Sequence, residues 1–257
     1  MRFSKIMLGA LTLAGATPAL AQEETDPPSP ITISGSVAVV SDYKFRGISQ
    51  TDGNFAVQGG ITVSHESGFY VSVWGSSIDD YVTAHGTAHQ EIDLIAGFKA
   101  TSGGATFDIG ALYYVYPGTR PGFVGDNSAS DFVEPYASIA YGIGPVTAKA
   151  SVAYAPKQKA LALNQTGPKN DNVYIAGDLS ATIPNTPIGV SGHLGHTFGP
   201  SWLSIGDEYT DWSLGASYTY KALTFGISYV DTDGDFITPS GKNASKGAVL
   251  GSISAAF

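Results

Sequence analysis

From Ile31 to Phe257 apolar and polar residues alternate almost one for one, the two-residue period of strands with two chemically different faces. One run sets Phe55, Val57, Gly59, Ile61 and Val63 against Ala56, Gln58, Gly60, Thr62 and Ser64. The last run sets Val249, Gly251, Ile253, Ala255 and Phe257 against Leu250, Ser252, Ser254 and Ala256. Helical periodicity is hard to find. The pattern predicts twelve strands, at 33–48, 54–65, 69–77, 90–100, 105–116, 131–142, 146–155, 172–183, 187–197, 209–220, 223–231 and 247–257.

The connections add an asymmetry. Tight turns occur at 65–68, 101–104, 142–145, 184–187 and 220–223, rich in Gly, Pro, Asn and Ser. Between them lie long polar loops at 79–90, 117–130, 156–170, 198–208 and 231–247, and "GISQTDGN" forms the first connection. Short turns alternating with long loops, with an even strand number, predict an all-β fold: a transmembrane antiparallel β-barrel with short periplasmic turns and long extracellular loops. A soluble sandwich or lipocalin-like barrel shares the alternation but points its apolar face inward. Three features favour lipid outside. Tyr43, Tyr113, Tyr141, Tyr154, Trp202, Trp212, Tyr218, Tyr220 and Tyr229 crowd near strand ends, as interfacial girdles require. Most strands have the length of a tilted crossing of the hydrocarbon layer. The chain also ends on an aromatic, Phe257, in an alternating strand, resembling the C-terminal signal read by the barrel-assembly machinery.

Composition narrows the setting. Arg2 and Lys5 precede an uncharged apolar run from Ile6 to Ala16, and Ala19-Leu20-Ala21 supplies a cleavage site, so residues 1–21 read as a secretory signal peptide. Residues 22–30 are Glu- and Pro-rich, a disordered lead-in, and 31–257 form the barrel. The cysteine count of zero excludes a disulfide scaffold, thiolate zinc sites and a Cys nucleophile. The net charge of −9 leaves no basic footprint for nucleic acid. After the signal no apolar run reaches the length of a membrane helix.

One stretch resembles a known family. In "SDYKFRGISQTDGNFAVQGGITVSHESGFYVSVWGS", Ser41–Ser76, the elements Phe45-Arg46-Gly47, Ser49 and Thr51, then Ala56, Gln58 and Gly59, then Ser67 to Tyr70 and Trp74 to Ser76, are similar to the TorF family of proteobacterial porins. Phe55 stands where relatives often carry Pro. The resemblance implies an outer-membrane barrel with a porin role, reached after signal-peptide export. It carries over no substrate.

With the apolar parity outward, the other parity writes the lumen: Asp42, Lys44, Arg46, Glu91, Asp93, Lys99, Asp108, Glu134, Lys149, Asp178, His193 and Asp211. Seven acids against four bases predict a mildly cation-leaning path for small hydrophilic solutes or ions. Alternatively, Lys44 and Arg46 pair with Glu91, Asp93 or Asp108 as a plug, giving a closed structural or adhesive barrel that acts through its loops. Tyr43, Phe45, Tyr113, Tyr141, Tyr154, Trp212, Tyr218, Tyr229 and Phe257 are expected at the membrane interfaces. The partners expected are outer-membrane lipid and lipopolysaccharide, the solutes, and the assembly machinery.

Catalytic and metal readings are weak. His85 and His89 are four apart, but Gly86 and the loop setting argue against the helix that spacing needs. His193 and His196 fall on opposite faces of one strand. No nucleophile elbow appears, so no enzyme and no cofactor are expected. Asp231, Asp233 and Asp235 resemble a calcium loop but lack its distal Glu, and read as a solvated acidic turn.

Overall fold

The computed structural model describes residues 30–84, 86–119, 130–164 and 167–257. The expected signal peptide, nearly all of the lead-in and His85 lie outside the described residues. Twelve strands account for the fold: β1 (Ile31–Val40), β2 (Ala56–His65), β3 (Phe69–Ser77), β4 (Gln90–Ser102), β5 (Ala105–Val115), β6 (Phe132–Ile143), β7 (Val146–Gln158), β8 (Asn170–Thr182), β9 (Ile188–Phe198), β10 (Tyr209–Tyr220), β11 (Leu223–Thr232) and β12 (Ala248–Ala256). Each pairs antiparallel with its neighbours in sequence, and β1 closes the barrel against β12. Val37 sits opposite Gly59 on one side and Ala255 on the other, so no strand edge is left open. Among the described residues no helix is long and apolar enough to cross a membrane.

The seam is completed by the C-terminal residue. Phe257 exchanges backbone hydrogen bonds with Gly35, 3.0 Å in each direction. Its ring then covers Gly35 so closely that a β-carbon there would meet Phe257 Cζ at 2.5 Å.

The expected parity holds around the barrel. Outward rows carry Val57, Ile109, Leu179, Leu214, Ile227 and Val249, all well exposed, with Leu214 at 70%. An uninterrupted apolar skin of this kind is stable only against an apolar medium; each large side chain moved from water into hydrocarbon contributes about 1.5–3 kcal/mol. Inside the same sheet the backbone groups are paired strand to strand, the condition for crossing hydrocarbon. The molecule is a transmembrane antiparallel barrel. Tyr113, Tyr154, Trp212 and Tyr229 point outward near the long-loop end, and Tyr141, Tyr218 and Phe257 near the short-turn end.

Short and long connections segregate as the sequence predicts. Residues 66–68, 103–104, 144–145, 183–187 and 221–222 turn at one end, while, among the described residues, 41–55, 78–84, 86–89, 116–119, 130–131, 159–164, 167–169, 199–208 and 233–247 gather at the other. The first strand differs. It ends at Val40, not at residue 48, and the chain turns into the barrel to form a two-stranded hairpin, Lys44–Phe45 against Ile48–Ser49. Alternation persists through the hairpin because its arms are themselves extended, so the period alone does not reveal the break.

Candidate functional site

The inward hairpin is built from local chemistry. Arg46 (φ 48°) and Gly47 (φ 81°) occupy its two-residue turn, both in the left-handed region that a type I′ hairpin demands. Gly47 is needed twice over, because a β-carbon there would meet the β-carbons of Asp211 and Thr232 on the barrel wall at 2.9 Å. Asp42 anchors the base: its Oδ1 accepts from Ser49 Oγ at 2.6 Å and from Thr51 Oγ1 at 2.9 Å. From loop 78–89, the Tyr81 hydroxyl donates to the Ser49 carbonyl at 2.6 Å and accepts from the Asp52 amide at 3.1 Å.

This placement overturns two expectations. Tyr43 and Phe45 are not girdle residues. Tyr43 is 5% exposed and donates its hydroxyl to Glu91 Oε1 at 2.8 Å; Phe45 meets Tyr114 edge-on inside the barrel. Once the chain leaves the wall, the face opposite the charges no longer looks at lipid.

At the hairpin tip Arg46 crosses the lumen to β6. One guanidinium nitrogen donates to both Glu134 carboxylate oxygens at 2.8 Å and the other to Asn172 Oδ1 at 3.2 Å. The guanidinium lies 4.1 Å from the Tyr174 ring centre and 4.7 Å from that of Phe45, in cation–π range. Side-chain exposure is 6% for Arg46 and 3% for Glu134, so the pair is cut off from water. The expected partners Glu91, Asp93 and Asp108 are engaged elsewhere or stand apart from it. Glu91 takes phenol hydrogen bonds from Tyr43 and Tyr116, both 2.8 Å. Asp93 is 1% exposed, and its Oδ1 has no hydrogen-bond partner among the described residues.

A second network continues along β8–β10. His193 Nδ1 meets Asp178 at 2.7 Å, its Nε2 meets Asp211 at 3.0 Å and the Tyr174 hydroxyl at 2.9 Å. Nearer the short turns, Lys99 Nζ lies 3.4 Å from Asp108 Oδ2, and Tyr70 donates to Asp108 Oδ1 at 2.8 Å while also meeting the Tyr136 hydroxyl. Lys149 belongs to the same inward row. All nine strand-borne lumen candidates therefore share the interior. The sequence reading missed Tyr114, Asn172 and Tyr174; each stands at inward parity beside a chosen residue, and only their uncharged side chains hid them.

The remaining candidate, Lys44, joins the hairpin to the outer loops, and so does Asp52, which the sequence reading did not single out. Lys44 Nζ donates to the carbonyls of Gly47, Ala244 and Lys246 at 3.1, 3.1 and 2.8 Å. Burial lowers its affinity for the proton, against the opposing pull of Asp42 and Asp231. Asp52 is clasped by loop 233–247: Thr238 and Ser240 donate to its carboxylate at 2.9 and 2.7 Å, and Lys242 stands 3.3 Å away. Burial alone would raise its pKa, but the three donors and the Lys242 charge outweigh it and hold the carboxyl below its ordinary range. Among the described residues no group of three or more His, Asp and Glu is arranged to hold a metal. Asp231 bonds Tyr229, Asp233 the Thr210 amide and Asp235 the Asn243 amide, each in a different direction. His196 points outward to Thr210 Oγ1 at 3.0 Å, away from His193.

Among solved structures, a NanC porin superposes with a TM-score of 0.56 at 10% identity, covering 88% of this chain and 99% of that one. A chain solved in a study of in-meso crystallization of membrane proteins gives 0.52 at 11% identity, covering 87% and 83%. The outer membrane channel DcaP of Acinetobacter baumannii gives 0.46 at 10%, covering 88% and 97%. At such identities the likeness is one of fold. No curated protein matches the chain. The TorF resemblance therefore stays with the motif at Ser41–Ser76. Residues 24–257 match the family model described as "Bacterial protein of unknown function (Gcw_chp)", and the chain belongs to that family.

Proposed function

We propose that the protein is a restricted porin of the bacterial outer membrane, passing small hydrophilic solutes or ions past a hairpin that narrows its lumen. The observation that carries this reading is the inward row of the sheet. Along β9–β12 it is lined by Ser191, Ser213, Ser217, Ser228 and Ser252, small polar side chains that leave room for water. On the opposite side Tyr114, Phe132 and the hairpin fill the space. The short turns then face the periplasm and the long loops the exterior. Cation preference follows from the inward carboxylates: Glu134 is matched by Arg46 and Asp108 by Lys99, whereas Glu91 and Asp93 have no cationic partner in the contacts described above.

The filled outer half also favours a second reading, a closed barrel that works through its loops. Single-channel recording in planar bilayers separates the two. The porin reading expects small, cation-leaning conductance steps that grow when residues 43–50 are replaced by a short Gly-Ser linker. A folded preparation silent in both forms overturns it.

A further inference from the structure

Above the hairpin, under the long loops, lies a cavity of about 320 Å³, within the ordinary range of small-ligand sites, about 300–1,000 Å³. Its walls are aromatic, with Tyr81, Tyr116, Phe132, Trp202, Tyr209 and Phe236 among them, and Glu91 is its single charged lining residue. Among the described residues no lysine or arginine lines it. Arg46 is turned to Glu134 and Lys44 to loop carbonyls. Trp202 is held in place by its indole N–H, which donates to the Val82 carbonyl at 2.8 Å, so the wall is braced between two loops.

We propose that this cavity binds small organic cations, an aromatic or alkyl body carrying a protonated amine. Two independent observations converge on that class. Aromatic faces attract a cation through their quadrupoles and supply apolar area for its body. Beneath them the buried carboxylates are in excess: of Glu91, Asp93 and Glu134, Arg46 pairs only with Glu134, and Asp93 Oδ1 has no hydrogen-bond partner among the described residues. An amine entering the cavity meets Glu91 at the wall with Asp93 two residues further down the same inward row, whereas an anion meets the same field as repulsion. The site goes beyond the transport reading and does not depend on the barrel conducting.

Calorimetric titration of the purified barrel with three probes sharing one body tests it: phenethylamine, 2-phenylethanol and 3-phenylpropionate. Saturable binding of the amine, at least tenfold tighter than the alcohol, with no binding of the carboxylate, is expected. Glu91→Gln should bring amine and alcohol within threefold of each other. Leu163→Arg, at a half-exposed lining position that leaves the core alone, should abolish amine binding, and it carries the test if Glu91→Gln fails to fold by circular dichroism. Non-saturable amine heats, carboxylate binding as tight as the amine, or an amine affinity unchanged in the folded variants would overturn the proposal.

Discussion

Replacing Glu134 with Gln isolates what keeps the hairpin docked. The substitution preserves volume and leaves one acceptor oxygen but strands the Arg46 guanidinium, which is 6% exposed and loses one of two 2.8 Å carboxylate contacts together with its counter-charge. Breaking a buried pair by removing one partner costs about 3–5 kcal/mol, most of it from the uncompensated charge. Asn172 Oδ1 and the Tyr174 ring remain as weaker acceptors, so the low end, about 3 kcal/mol, applies. The closed sheet of twelve strands does not depend on this contact, so the cost falls on docking of the hairpin, not on the fold. At about 1.4 kcal/mol per factor of ten, the ratio of undocked to docked hairpin rises by about two orders of magnitude. Amide hydrogen exchange over residues 44–49 measures this directly, with the β1 and β12 amides as internal reference. The double variant Arg46→Met with Glu134→Leu removes both charges and should return exchange most of the way to wild type, since an apolar pair of similar volume tolerates the same burial. Equal protection in wild type and Glu134→Gln would refute the claim that this ion pair locks the hairpin. An increase as large in the double variant would show instead that packing holds it.

Three further perturbations probe separate parts of the argument. Gly47→Ala forces a β-carbon into a φ of 81° and into the Asp211 and Thr232 β-carbons, so it should undock the hairpin at a cost of about 1–3 kcal/mol, read as faster exchange at residues 44–49 with the barrel's melting transition unchanged. The Asp52 clasp is pH-dependent: a carboxyl held below its unfolded pKa of about 3.9 contributes stability above that value and loses it as pH falls through the lower folded one. Protease cleavage in loop 233–247 should therefore rise as pH drops below about 4 in wild type, and be high and flat in Asp52→Asn. Leu214→Lys places a charge on the apolar skin near mid-strand and should destabilise the barrel in bilayers by about 2–4 kcal/mol, whereas Ser213→Lys, facing the lumen, should not; equal effects would contradict a lipid-facing exterior.

Why the barrel was legible in the sequence and the hairpin was not follows from what each leaves in the residue order. Barrel closure imposes parity on every strand, so Val249, Ile253 and Phe257 repeat the statement made by Val57, Ile61 and Val63, and turn residues mark each reversal at the short end. Such redundancy survives an error at any one strand. The hairpin is specified once. Its arms keep the period of two, and its turn carries Arg at the first left-handed position, where Asn or Asp would have announced a type I′ turn. The local signal present was Asp42 with Ser49 and Thr51, polar side chains spaced to cross-link a reversal, and it reads equally as rim chemistry.

The charges carry the same lesson one level up. Parity put Glu134, Asp211 and Arg46 in one interior, but which acid meets Arg46 depends on how far the hairpin reaches across the lumen, and that is set by contacts 88 residues away in sequence. Arg46 tolerates its strained φ because Glu134, Asn172 and the Tyr174 face together over-determine where its guanidinium sits. An arginine held by its partner and not placed by its turn propensity is why local propensity misread the segment.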